Sequence, residues 1–378
     1  MVSHASTVQR VLTHLLEQDR PVTRPEIAAA LALSRPTIFT AIERLERDRL
    51  LEQVGQLSGK PGRSAALYDV DRTAGLLGAI DIGGSNVRVA VADSRGRLLR
   101  EDRQATTAGG GGAIVKQVAE LLLFTLDAVA DHGPLRSVAV SVPGVVGPDD
   151  STVSFATNID QFAPFDFRAP LAKALGARVT LENNVNLAAM AEQWQGMGRD
   201  LRTFAVVSIG AGVGAGIVHE ARVLRGAHRA AGEVASVCST SGRLDNAAHD
   251  EAGGLSLLEK AGSRHGWPGG PPASVEELFA LAAARVEPAS TLVEEECQRI
   301  AAVIAAVCAV IDPEAIIMTG GVGSNEHLID RVRVLTTELT MFPPSVVRST
   351  LGDRASLLGA VRLASQALKR ELVDSLST

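Results

Sequence analysis

Aromatic side chains are scarce, 3% of 378 residues, so the cores of this chain must be built from Ala, Val, Leu and Ile. Cysteine is scarcer still. Cys238, Cys297 and Cys308 form no even framework and no close-spaced pair, which excludes a disulfide scaffold and fits a reducing cytosol. Long apolar runs are missing: the stretches 121–130 and 300–311 are too short to span a bilayer and read as buried helices. The opening MVSHASTVQR has no apolar stretch behind a basic region, so no signal peptide is expected, nor a membrane partner. Cytoplasmic location is the expectation. A strong positive charge is also absent, and a net charge of −6 argues against nucleic-acid binding by the whole surface. The charge is unevenly spread, however. Residues 1–72 hold ten Lys/Arg against nine Asp/Glu and the remainder 27 against 34, which places any DNA contact at the N-terminal end.

What is present is an ordinary globular balance, 46% hydrophobic and 21% charged, on a chain long enough for two or three domains. Over 7–18, Val8, Val11, Leu12, Leu15 and Leu16 fall on one helical stripe. Thr23-Arg24-Pro25-Glu26 has the spacing of a capping box with Pro in the tolerant first turn, and it opens a second helix that buries Ile27, Ala28 and Leu31. After the turn Ala32-Leu33, Ser34 caps a third helix that runs to about Asp48 and buries Ile38, Ala41, Ile42 and Leu45. A hairpin follows, LLEQVG and AALYDVD, around the loop QLSGKPGRS. Three short helices and a hairpin outline a winged helix-turn-helix over 1–72.

In such a motif the second helix of the pair enters the major groove and its first residues reach base edges. Those are Ser34, Arg35, Pro36 and Thr37, with Thr40 and Arg44 further along. Arg reads guanine bidentately and Thr meets a thymine methyl. Lys60 and Arg63 put two cations on a narrow, glycine-rich wing tip suited to phosphate or minor-groove contact. The alternative for any one of them is a solvated helix charge, since Arg44 sits among Glu43, Glu46 and Arg47.

Past a junction near 72–76 the pattern becomes α/β. LLGAIDIGG, VRVAVAD and RSVAVSVPG read as buried strands, with a helix near 112–131. FAVVSIGAG and GAGIVHE form a second strand set, followed by Ala-rich helices and the strand AIIMTGG. Both Asp81-Ile82-Gly83-Gly84 and Ser208-Ile209-Gly210-Ala211-Gly212 leave a strand on glycine, one in each half, so residues 73–378 are expected to form two similar lobes around a cleft. Glycines after a strand let backbone approach a phosphate, and a neighbouring acid can position Mg²⁺. Alone, Asp81–Asn86 reads first as a plain hairpin turn, since strand-Gly-Gly-strand hairpins are common.

Its companions are Ser141-Val142-Pro143-Gly144, Leu181–Ala189, Ser208–Gly216, Ala231-Gly232-Glu233 and Met318–Gly323. In this order and spacing they resemble the ROK family of sugar kinases and sugar-responsive repressors, over residues 75–365. The N-terminal motif resembles the repressor branch. The resemblance implies a two-lobed, actin-like ATPase fold behind the winged head, a sugar in the cleft, and dimers or tetramers. It also implies phosphate-loop remnants at Asp81, Gly83, Gly84 and Ser85, at Gly210 and Gly212, and beside the adenosine at Gly320 and Gly321. Sugar-hydroxyl ligands are implied at Asn183 and Glu233, with Asn158 weaker and Asp245 as a stand-in for a further Glu.

Three departures stand out. The kinases have Glu-Asn-Asp where this chain has Glu182-Asn183-Asn184, and that Asp takes the proton from the attacking sugar hydroxyl. A carboxamide can hydrogen-bond the hydroxyl but not accept its proton, and loss of a positioned base costs about 10²–10⁴-fold in rate. Ser236 stands where the family has a zinc-ligating His, and Cys238 lacks the cysteine cluster that completes the site; His228 and His249 are too scattered to replace it. The expectation is therefore a non-enzymatic regulator of carbohydrate genes without zinc or other cofactor. Its partners are a palindromic operator and a sugar or sugar phosphate held by Asn158, Asn183, Asn184, Glu233 and Asp245, coupled to DNA through the junction at 70–76. The rival readings are a sugar kinase with a DNA-binding head and a regulator that has lost sugar binding.

Overall fold

The computed structural model describes residues 6–18, 20–58, 64–154, 159, 162, 164–238 and 252–377. The head begins with α1 (Thr7–Glu17), capped by Ser6 in a capping box with Gln9. β1 (Val22–Thr23) leads into α2 (Arg24–Leu31), where Thr23 and Glu26 form the second capping box. The Glu26 carboxylate accepts at that cap: the Thr23 backbone N–H and the neighbouring Arg20 hold its carboxyl down at about 2. The tight turn is made by Ala32, which adopts a left-handed conformation (φ 51°). Ser34 then caps α3 (Arg35–Arg47), with Ile38, Ala41, Ile42 and Leu45 buried. The wing, β2 (Leu51–Ser58) and β3 (Ser64–Val70), is antiparallel, and β1 pairs with β3.

The body holds two five-stranded sheets of related layout. The first consists of β4 (Leu76–Ile82), β5 (Asn86–Ala92), β6 (Leu98–Ala105), β7 (Leu135–Val142) and β11 (Arg178–Asn183), in the order β11-β7-β4-β5-β6. Between these strands the chain forms α4 (Gly110–Asp127), a small sheet of β8 (Val145–Val146), β9 (Thr152–Ser154) and β10 (Phe165–Asp166), and α5 (Arg168–Leu175). α6 (Asn184–Gln195) crosses to the second sheet, which contains β12 (Phe204–Ile209), β13 (Val213–His219), β14 (Arg222–Val223), β15 (Ala315–Thr319) and β16 (Ser345–Arg348) in the order β14-β13-β12-β15-β16. Helices α7 (Gly254–Ser263), α8 (Val275–Ala283), α9 (Ala289–Ile311) and α10 (Glu326–Leu339) belong to this lobe, and α11 (Ala355–Asp374) returns to the first. In each sheet the leading strand pairs antiparallel with the next and parallel with the one after the helix: β4 with β5 and β7, β12 with β13 and β15. The glycine echo between the halves therefore reflects a repeated strand-turn-strand unit.

The cores explain how the parts are joined. One apolar core fills the second lobe around α9, β12 and β15, and another lies between α4, α5 and one face of the first sheet. The opposite face of that sheet shares a third core with α11 and with the head. Leu12, Leu15, Leu16, Ile42 and Tyr68 of the head are continuous with Leu77, Ala79, Leu368, Leu372 and Leu376 of the body. The head is packed onto the body rather than tethered by a linker.

Candidate functional site

The cleft is built where β11 runs into α6. Asn183 is the N-cap of α6: its Oδ1 accepts from the backbone N–H of Val185 (2.8 Å) and Asn186 (3.2 Å), and its Nδ2 donates to the Gly144 carbonyl at 3.0 Å. Capping thus consumes much of its side chain and leaves one amide N–H for a ligand. Asn184 occupies the first turn, half-buried, and its backbone carbonyl accepts from Ser356 Oγ at 3.0 Å. Beneath them Glu182 is buried. Its Oε1 accepts from the Asn183 backbone (2.9 Å) and Asn186 Nδ2 (3.1 Å), and its Oε2 pairs with Arg225 Nε at 2.6 Å.

Facing this from the second lobe, Gly210, Gly212 and Gly214 share the cleft wall with Asn183, Asn184 and Glu233. Gly210 N–H donates to the Gly212 carbonyl at 2.9 Å, closing a tight loop. Gly232 (φ 94°) brings Glu233 to the wall, and a Cβ there would run into the Ala215 carbonyl oxygen. Gly320 (φ 88°) and Gly321 sit behind that wall: the Val322 and Gly323 amides both donate to the Ile209 carbonyl at 3.0 Å. The remaining sequence candidates divide. Asp81 accepts from Ser141 Oγ at 2.5 Å, two residues before Pro143 of the cleft wall, whereas Gly83, Gly84 and Ser85 lie outside that wall, Gly84 and Ser85 exposed. Asn158 and Asp245 fall outside the described residues, as does the segment 239–251 that bears on zinc.

Burial pushes the Asp81 carboxyl above its usual range, against the opposing pull of Ser141 and Arg88. A carboxyl whose folded pKa is raised stabilises the fold most below the unfolded value of about 3.9 and loses that contribution as pH climbs through the raised value. Asp81→Asn is therefore expected to melt higher than the parent at pH 7, by about 2 °C for each kcal/mol recovered, with the gap closing toward pH 4. Calorimetry across pH 4–8 checks this, and an unchanged pH dependence would mean a solvated carboxyl.

On the head, Ser34, Arg35 and Thr40 are exposed along α3, with Thr37 half-buried. Three are partly engaged within the helix. Ser34 Oγ and Thr37 Oγ1 lie 2.7 Å apart, and Thr40 Oγ1 donates to the Pro36 carbonyl at 3.2 Å. Arg44 lies 3.5 Å from Asp48 on the next turn. Arg35 extends from the helix start on the exposed face. Phe39, absent from the sequence candidates, is 45% exposed beside Thr40, with the Arg24 guanidinium 4.8 Å from its ring centre. Its position outside the buried Ile38/Ile42 stripe was the available clue. Lys60 and Arg63 lie outside the described residues.

Comparison with known proteins agrees with this geometry. The profile described as the ROK family matches residues 77–367, and the IclR helix-turn-helix domain profile matches residues 8–55. The chain is similar to a candidate xylose repressor of Caldicellulosiruptor sp., 26% identical over 62% of this chain and 61% of that one, so the match spans less than two thirds of the relative. It is also similar to a beta-glucoside kinase of Listeria innocua, 27% identical over 75% of this chain and 96% of the kinase. Among solved structures, a ROK family transcriptional regulator that is a homologue of the E. coli MLC protein shares the fold along 97% of this chain and 98% of its own, at 19% identity and a TM-score of 0.79. A ROK hexokinase from Thermus thermophilus aligns with 78% of this chain and 99% of its own, at 25% identity and a TM-score of 0.66.

Proposed function

Because the chain belongs to the ROK family and carries an IclR-type helix-turn-helix ahead of its kinase-like body, we propose that it is a sugar-responsive transcriptional regulator, a repressor of carbohydrate genes whose cleft binds without phosphorylating. One observation carries the reading: a single helix, α11, touches both ends of the circuit. Its first turn donates from Ser356 to the Asn184 carbonyl, and Gly359 packs so closely on the Leu187 carbonyl of α6 that a Cβ would not fit. Its last turns supply Leu368 and Leu372 to the head's core, while Lys369 Nζ donates to the Leu16 carbonyl and the Val373 carbonyl accepts from Gln9. Twenty residues at 1.5 Å per residue span about 30 Å. A ligand that resets the N-terminus of α6 thus acts on the head through a rigid rod, in addition to the junction at 70–76.

In this reading the cleft offers amides and a carboxylate, Asn183, Asn184 and Glu233, as a fixed set of partners for sugar hydroxyls, and Asn158 and Asp245 add to the set. The donor set does not fit the family's zinc, since Ser236 and a lone Cys238 replace the imidazole and thiolates that a four-ligand site needs. Two heads of a dimer or tetramer meet half-sites about one helical turn apart, so the operator is a palindrome. No helix among the described residues is long and apolar enough to cross a membrane, which accords with a cytoplasmic regulator.

The test is operator binding by the full chain, titrated with a panel of sugars. One sugar is expected to change operator affinity, and DNA is expected to change the affinity for that sugar by the same factor. Arg35→Ala is expected to weaken operator binding by about 1–3 kcal/mol and to relax specificity at one base pair, read by fluorescence anisotropy. The second reading, a sugar kinase with a DNA-binding head, is favoured by the match to nearly the whole beta-glucoside kinase. Robust ATP-dependent turnover of a sugar by the parent chain would establish it.

A further inference from the structure

Away from the sugar cleft, a second cavity lies between the edge strand β11, the loop after β14 and the outer face of α11. Its charge is unusual. Among the described residues, Arg168, Arg178, Arg225, Arg229 and Arg370 line it against two carboxylates, Asp150 and Glu182. Arg225 is paired with Glu182 and Arg229 with Asp150, while Arg168, Arg178 and Arg370 have no carboxylate partner among the described residues. The Nε of Arg229 is buried and meets no acceptor among the described residues. Burial also depresses the Arg229 guanidinium from its usual range, although Asp150 pairs with it and Glu182 lies 4.0 Å away.

We propose that this cavity binds the phosphoryl group of a small phosphorylated metabolite, at a site separate from the sugar cleft. Guanidinium forks match phosphate oxygens bidentately, and a phosphate monoester has the charge and acceptor count that a three-cation excess and an unused N–H call for. The cavity is wired to both ends of the molecule. Glu182, whose Oε2 holds Arg225, gives its Oε1 to the Asn183 backbone and Asn186. Leu363 and Ala367 of α11 line the cavity, and Arg370 is one turn or less from the Leu372 and Val373 contacts with the head. An anion that draws Arg225 and Arg370 inward therefore acts on the sugar-side helix and on the head's seat together.

Calorimetric titration of the full chain with inorganic phosphate, glucose 6-phosphate and glucose tests this, on the parent, on Arg178→Gln/Arg370→Gln and on Asn183→Ala. Both arginines are exposed, so the double variant should keep the parent's melting curve, which is checked first. Saturable binding of phosphate or glucose 6-phosphate, weakened at least tenfold in the double variant and unchanged in Asn183→Ala, is the expected result. Equal affinities for the two would identify free phosphate as sufficient. A tenfold preference for glucose 6-phosphate would add a contact to its sugar. Absence of saturable binding by either anion, or anion binding lost in Asn183→Ala and kept in the double variant, would overturn the proposal.

Discussion

Asn184→Asp is expected to raise ATP-dependent hexose phosphorylation from background by about 10²–10⁴-fold, the range that a positioned general base contributes. The parent is expected to show none above background. The position is already suited to a base: residue 184 is at the start of α6, half-buried on the cleft wall, with its backbone fixed by Ser356 and its neighbour Asn183 fixed as the cap. A carboxylate there would gain from the helix N-terminus, worth about 0.3–1 kcal/mol, which favours the ionised form that accepts a proton. Substitution by Asp changes one terminal atom and adds no bulk, so the geometry of Gly210–Gly214 opposite should survive. Coupled ADP release across a panel of hexoses is the measurement, with Asn184→Ala as the control that removes the amide without supplying a base. If the parent already turns over at rates that Asn184→Asp does not exceed, the amide is not what silences the site, and the assignment of residue 184 fails.

That expectation rests on a local sequence fact, and local facts were the legible ones. The capping box of Thr23 with Glu26 and the cap at Ser34 follow from hydrogen bonds between residues three apart, and the structure forms both where the spacing places them, whereas the box of Ser6 with Gln9 went unread. The strand-glycine turns of the two lobes were legible for the same reason. The double role of Asn183 was not. A side chain assigned to sugar turns out to cap α6, because nothing in Glu-Asn-Asn announces that the helix starts at 184. Least legible was the seat of the head. Arg95, Lys369 and Val373 reach the head over 26 to 364 positions of sequence, and each reads in isolation as a surface turn or an amphipathic helix end. The arginine cavity was hidden in the same way, since its five cations come from α5, β11, a loop and α11.

Arg95→Ala is expected to detach the head from the ligand without destroying its operator affinity. Arg95 projects from the tight turn between β5 and β6, where Asp93 Oδ1 accepts from the Arg95 and Arg97 amides at 3.0 Å each. Its guanidinium pairs with Asp69 on β3 and donates to the Leu15 and Gln18 carbonyls at 3.3 and 2.9 Å. One side chain therefore neutralises a carboxylate on a residue only 6% exposed and satisfies the open carbonyls at the end of α1. Removing it leaves Asp69 buried and unpaired, which typically costs about 3–5 kcal/mol. The Arg95 side-chain contacts with Asp69, Leu15 and Gln18 all cross from the body to the head, so the loss falls on the seam, whose apolar part is the core that the two share. Calorimetry should resolve the parent's transition into two, and the factor by which the inducing sugar shifts operator affinity should fall to near one while affinity without sugar stays within about threefold. Arg95→Met combined with Asp69→Asn removes both charges and should restore much of the stability, because a neutral pair carries no desolvation penalty. A variant Arg95→Ala that melts as one unit and still answers the sugar would refute the seam as the route by which the cleft reaches DNA.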